Sequence, residues 1–157
     1  MKNLQHRLRD QRGFNLIELM IVIAIIGLLI GVGSIAWQAV IKSGNETAAA
    51  QSIDKIRTYQ TQYASRNKGN FAKFDELREK LGLDERFTGD APVVNGYIFT
   101  MTLTPASSGG AEKYEVWADP QSAGLTGTGE RHYYTSSSIS SIRGNDTAKA
   151  KESDPSI

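Results

Sequence analysis

The chain has 157 residues, no cysteine, only two histidines and a formal net charge of +1. Without cysteine it forms no disulfide and no thiolate metal site, and with His6 close to the N-terminus only His132 is left, so no His-based cluster can be built. A near-neutral chain also lacks the basic excess that phosphate backbones demand, which argues against nucleic-acid binding.

Residues 1–13, MKNLQHRLRDQRG, carry Lys2, Arg7, Arg9 and Arg12 against Asp10, a net of +3 that leaves −2 for the remainder. Cations placed just before an apolar run predict a cytoplasmic N-terminus and a translocated C-terminal part. The run is Gly13 to Trp37, and Glu18 is its one charged residue. From Leu19 to Trp37 it spans roughly 28 Å as a helix, close to the hydrocarbon thickness of a bilayer. A secretory signal has a shorter apolar region, about 7–15 residues, with a small-residue cleavage site behind it. Here the nearest small cluster, Ala48-Ala49-Ala50, lies well past the end of the run. A carboxylate near the end of a membrane span is costly without a partner, so Glu18 is a functional candidate, the plainer alternative being solvation by headgroups. Gly27, Gly31 and Gly33, with Ser34, form a small-residue stripe. It suits close helix packing, or a weak point that extends, since glycine costs a helix about 1 kcal/mol relative to alanine. Trp37 suits the membrane interface.

Beyond the span the pattern turns amphipathic. Ala49, Ser52, Ile53, Ile56, Tyr59 or Gln60, and Tyr63 recur at three- and four-residue steps, predicting a helix over 38–66 with a core-facing stripe. Gly44-Asn45 reads as a kink or local cap, and Gly69 as the stop. A second short helix is expected over 71–82, with Phe74, Leu77 and Leu81 on one face, Glu76 and Lys80 as an i,i+4 pair, and Gly82 at its end. Residues 84–93 read as a loop. The period then changes to two: Tyr97, Phe99, Met101 and Leu103 alternate with Ile98, Thr100, Thr102 and Thr104, and Tyr114, Val116 and Ala118 with Glu115 and Trp117, up to Asp119-Pro120. Further strands are expected over 131–135 and 138–143, giving an antiparallel sheet within 94–143. Residues 144–157 have almost no apolar content and read as a flexible polar tail. The fold class is α+β: a long N-terminal helix, half membrane span and half amphipathic, packed against a small antiparallel β-meander.

Gly13-Phe14-Asn15-Leu16-Ile17-Glu18-Leu19-Met20, followed by IVIAIIGLL, resembles the N-terminal motif of type IV pilins and pseudopilins. The resemblance implies that residues 1–13 are a leader, that a prepilin peptidase cuts between Gly13 and Phe14, and that Phe14 is then N-methylated. It makes Glu18 the assembly glutamate, four residues from the amine that cleavage exposes. Either charge alone is expensive to bury, whereas the pair is tolerable, so Glu18 is expected to set the register of one subunit on the next. Asn15 stands where threonine is commonest, and the proline common near residues 35–37 is missing. Asn95-Gly96-Tyr97, Trp117-Ala118-Asp119-Pro120 and Gly129-Glu-Arg-His-Tyr-Tyr before Ile142-Arg143 are similar to some small bacterial pilin-like proteins. The cysteine pair of many larger pilins is absent, so a disulfide-bounded loop is not carried over.

Other patterns are weaker. Gly124 to Gly129, GLTGTG, lacks the GK[ST] ending of a phosphate loop. Asp84, Glu85 and Asp90 lack the ladder of a calcium loop. His132 has no identifiable nucleophile beside it. Asn45-Glu-Thr47 and Asn145-Asp-Thr147 match the glycosylation triplet, which chance often produces. The expectation is therefore a structural subunit, with no catalytic residue, cofactor or metal. It is held in the bacterial inner membrane and polymerises through 14–37 into an extracellular pilus; its partners are copies of itself, the prepilin peptidase and the assembly machinery. A type II secretion pseudopilin building a periplasmic pseudopilus is the alternative within the class. A membrane-tethered monomeric periplasmic binding module is the alternative outside it.

Overall fold

The computed structural model describes residues 13–107, 111–124 and 126–157. Residues 1–12, 108–110 and 125 lie outside the described residues, and with them all but Gly13 of the leader expected over 1–13. The chain divides after Trp37 into two units, the second being Gln38–Ile157. Helix α1 is Leu16–Arg66, and the elements after it are α2 (Phe74–Leu81), β1 (Val93–Val94), β2 (Tyr97–Thr104), β3 (Lys113–Pro120), β4 (His132–Ser136) and β5 (Arg143–Asn145). The strands form one antiparallel meander in the order β1-β2-β3-β4-β5, so the architecture is α+β as expected.

In the second unit the apolar stripe of α1 forms the core of the domain. Ala49, Ile53, Ile56, Gln60 and Tyr63 are its buried residues. They join Phe74, Leu77, Leu83 and Phe87 and the inward residues of the sheet, Tyr97, Phe99, Tyr114, Val116, Ala118 and Tyr133, in one cluster. Gln60 settles the choice between positions 59 and 60. It is fully buried because it makes both hydrogen bonds an amide can make to one backbone unit: its Nε2 donates to the Ala72 carbonyl at 2.6 Å and its Oε1 accepts from Ala72 N–H at 3.0 Å. A polar side chain so satisfied costs little to bury.

Four expectations are corrected. Asn45 does not cap a helix start: the helix continues through Gly44 and Asn45. The Asn45 amide instead donates to the Thr128 carbonyl at 2.8 Å. Helix α2 begins at Phe74, not Phe71, because Glu76 accepts from Lys73 N–H at 3.3 Å and closes the first turn there. Phe71 lies outside the helix and packs edge-on against Tyr114, 4.7 Å between ring centroids. The last strand is Arg143–Asn145 rather than 138–143, since Ser136 and Ser138 bond each other at 2.9 Å and Ile139 N–H returns to the Ser136 carbonyl, turning the chain. Residues 144–157 are not a free tail. Ala150 is 1% exposed, its carbonyl accepts from the Trp117 indole at 3.2 Å, and Ser156 bridges to Arg143.

Two boundaries also move. Val93–Val94, read as loop, adds a short strand to β2. Asn95 and Gly96, at φ 50° and 74°, form the two-residue turn between them, a conformation that suits asparagine and glycine. Asp119-Pro120 ends β3 from within, Pro120 pairing with Tyr97 at the last position, where its missing N–H breaks no ladder.

Candidate assembly segment

The first unit supplies the candidate site. Gly13, Phe14 and Asn15 precede the helix, and Phe14 is 85% exposed. Asn15 is the N-cap: its Oδ1 accepts from Ile17 N–H at 3.2 Å, while Glu18 reaches back to accept from Asn15 N–H at 3.3 Å. This reciprocal arrangement is a capping box, with Asn15 and Glu18 three residues apart. Asparagine is among the best N-cap residues, so the departure from threonine at this position preserves the cap. Sequence reasoning passed over that role, although the signal was present as Asn followed three residues later by Glu. Placed in the first turn, the Glu18 carboxylate also meets the positive end of the helix dipole.

From Leu19 to Trp37 the helix carries no charged side chain. Leu19, Met20, Ile21, Ile23, Ile25, Leu28, Leu29, Ile30 and Val32 are all exposed, and none of its most apolar stretch is buried. By length and composition this helix is able to cross a membrane. Gly27, Gly31 and Gly33 face open space, with no atom within 4 Å of a Cβ built on any of them. The Ser34 hydroxyl bonds the Gly31 carbonyl at 2.9 Å. The segment thus has two chemical features: a broad apolar surface, and one carboxylate held at its beginning.

The weaker candidates acquire structural roles. Gly127 and Gly129 are filled in, not open to a phosphate: a Cβ on Gly127 would lie 2.5 Å from the Ser122 carbonyl oxygen, and one on Gly129 would overlap the Tyr97 ring. The segment they belong to is tied to α1, where Lys42 pairs with Glu130 at 2.7 Å and Glu46 accepts from Glu130 N–H at 2.9 Å. Asp84 grips Arg86, and the guanidinium and backbone N–H of that residue hold its carboxyl down at about 2. Asp90 lines a recess of about 280 Å³ with Lys73, Phe74 and Met101. His132 meets Asp119 at 2.6 Å across neighbouring strands. Among the described residues no three His, Asp or Glu side chains converge as a metal site. Both amide nitrogens of the glycosylation triplets donate within the fold, Asn45 to the Thr128 carbonyl and Asn145 to Asp154.

A family model described as the prokaryotic N-terminal methylation motif matches residues 8–34. No curated protein and no solved structure matches the chain.

Proposed function

From the premise that residues 8–34 carry the N-terminal methylation motif of type IV pilins and pseudopilins, we propose that this chain is the structural subunit of a type IV pilus-like filament. The motif and the apolar helix mark a membrane-anchored protein that a prepilin peptidase processes. In our reading the cut falls between Gly13 and Phe14, Phe14 is methylated, and the segment 14–37 leaves the bilayer to become the contact between copies. The observation that carries this reading is the stretch Leu16–Trp37 of α1, whose large apolar side chains are all exposed and whose single carboxylate is fixed at its start.

The energetics follow from that arrangement. Apolar adhesion is strong but unspecific, and grows only with the area removed from water. Leaving one buried charge unpaired costs about 3–5 kcal/mol, so sliding Glu18 away from a Phe14 amine penalises every wrong register. Gly27, Gly31 and Gly33 let neighbouring helices approach closely, as small residues do in membrane helices.

The test begins with the intact mass of protein extracted from membranes or sheared filaments. It should start at Phe14 with one added methyl, and a mass starting at Met1 overturns the proposal. Glu18→Gln keeps a capping-box acceptor but removes the charge. It should insert normally and assemble poorly, and normal filaments refute the register argument. Gly27→Ala should assemble well and Gly27→Leu should not. Poor assembly of both would assign Gly27 to helix extension rather than packing, since alanine and leucine both stiffen a helix. Electron microscopy of sheared surface material, checked by mass spectrometry, separates a pilus from a periplasmic pseudopilus.

A further inference from the structure

Strand β2 is paired along its whole length by β3, but on its other side β1 covers only Tyr97 and Ile98. The cause is Pro92, which stands next in line, opposite Phe99. Its carbonyl accepts Phe99 N–H at 2.9 Å, but proline has no N–H to return to the Phe99 carbonyl. The residues before it, 89–91, form a bend and carry the pairing no further. Alternate residues of a strand aim their backbone groups at the same side, so Met101 and Leu103 present N–H and C=O along the same edge as Phe99. Among the described residues these groups have no partner there. Natural sheets blunt a bare edge with charge, proline or a bulge, and Phe99 to Thr104 has none of them.

The recess of about 280 Å³ at the start of α2 adjoins this edge. Phe74, Met101 and Leu103 are its apolar wall, and Lys73, Asp75 and Asp90 give it two carboxylates against one ammonium, a net of −1. Asp75 is paired with Arg78 at 3.4 Å, whereas Asp90 is exposed and has no ionic partner among the described residues. Side chains directly opposite each other in an antiparallel pair lie on the same face. A residue placed opposite Met101 or Leu103 therefore turns its side chain toward the recess, and two such residues are two positions apart.

We propose that the bare edge of β2 docks an extended peptide of another protein, one with a large apolar residue and a basic residue two positions apart. The peptide takes up the line of β1 where Pro92 ends it, antiparallel to β2. Its backbone exchanges hydrogen bonds with Met101 and Leu103, which gives affinity but no choice of sequence. Choice comes from the recess, which takes the apolar side chain against Phe74, and from Asp90, which takes the cation. A second copy does not meet these terms through the same edge, since Phe99 to Thr104 has no cation to offer Asp90. The site lies wholly in the second unit, so this inference does not depend on the filament reading.

The test uses the full-length protein in detergent micelles and the fluorescein-labelled peptide Thr-Leu-Thr-Lys-Thr, read by fluorescence anisotropy. Binding should be saturable. Glutamate in place of the peptide's lysine should weaken it about fivefold, the upper range for an exposed ion pair. Asp90→Lys should reverse that order and favour the glutamate peptide. Methylating the leucine amide nitrogen removes a donor to β2 and should weaken binding about tenfold. Methylating the amide of the central threonine, which faces away from β2, should change little. Absence of saturable binding overturns the proposal, as does an equal effect of the two methylations. An unchanged preference in Asp90→Lys also overturns it. Self-association of the chain that the peptide reverses would assign the edge to a second copy, and overturns it too.

Discussion

Helix α1 contains two stretches of similar length that differ in what surrounds them. In Leu16–Trp37 the large apolar residues are all exposed, whereas in the stretch over 38–66 Ala49, Ile53, Ile56, Gln60 and Tyr63 are buried. The second stretch follows the stripe rule of a helix on a water-soluble core, with Asp54 and Thr61 left on the outside. The first has no stripe because it is apolar all round, which only lipid or other helices can satisfy. The difference shows that helix propensity is not what separates the two halves. The pattern of polar residues decides which solvent each half needs.

The largest effect that would sharpen this contrast is a charge placed in each half. Ile56→Asp buries a carboxylate without a partner and should cost the domain more than about 4 kcal/mol, abolishing its cooperative thermal transition in circular dichroism. Ile23→Asp should leave that transition unchanged but reduce membrane insertion, at about 2.5–3.5 kcal/mol for an acidic residue at the centre of a span. A common effect of the two substitutions would break the distinction. A middle-sized effect is expected at Gln60. Changing it to leucine leaves the Ala72 N–H and carbonyl buried without partners, a loss of about 1–3 kcal/mol for each group, read as a lower midpoint in urea. The smallest concerns Asp84, a surface carboxylate of the second unit. Its folded pKa, about 2, lies below the ordinary 3.8, so it stabilises the fold above the ordinary value. That contribution disappears as pH falls through about 4 to 2, and Asp84→Asn should flatten the acid limb of the stability curve in that window.

Much of the second unit was legible because its signals are periodic. Phe74, Leu77, Tyr97, Phe99, Val116 and Ala118 are buried as their spacing required. What escaped were polar contacts between residues far apart in sequence, for which no period exists. Asn45 has the composition of a cap, yet its amide serves Thr128, 83 residues away. Residues 146–157 have the composition of a tail, yet ion pairs and backbone bonds fix them to the sheet edge. In the first unit the long apolar helix was legible from hydropathy alone. The capping role of Asn15 was not, because it was read as a departure from a motif and not as a hydrogen-bonding group.

The capping box bears on the proposed removal of the leader. The bonds that close the first turn run between Asn15 and Ile17, Asn15 and Glu18, and Asn15 and Leu19. Gly13 and Phe14, the described residues ahead of the helix, supply none of these bonds. Under the proposed cut ahead of Phe14 each of them would be kept, and a new amine would stand beside a turn that is already closed.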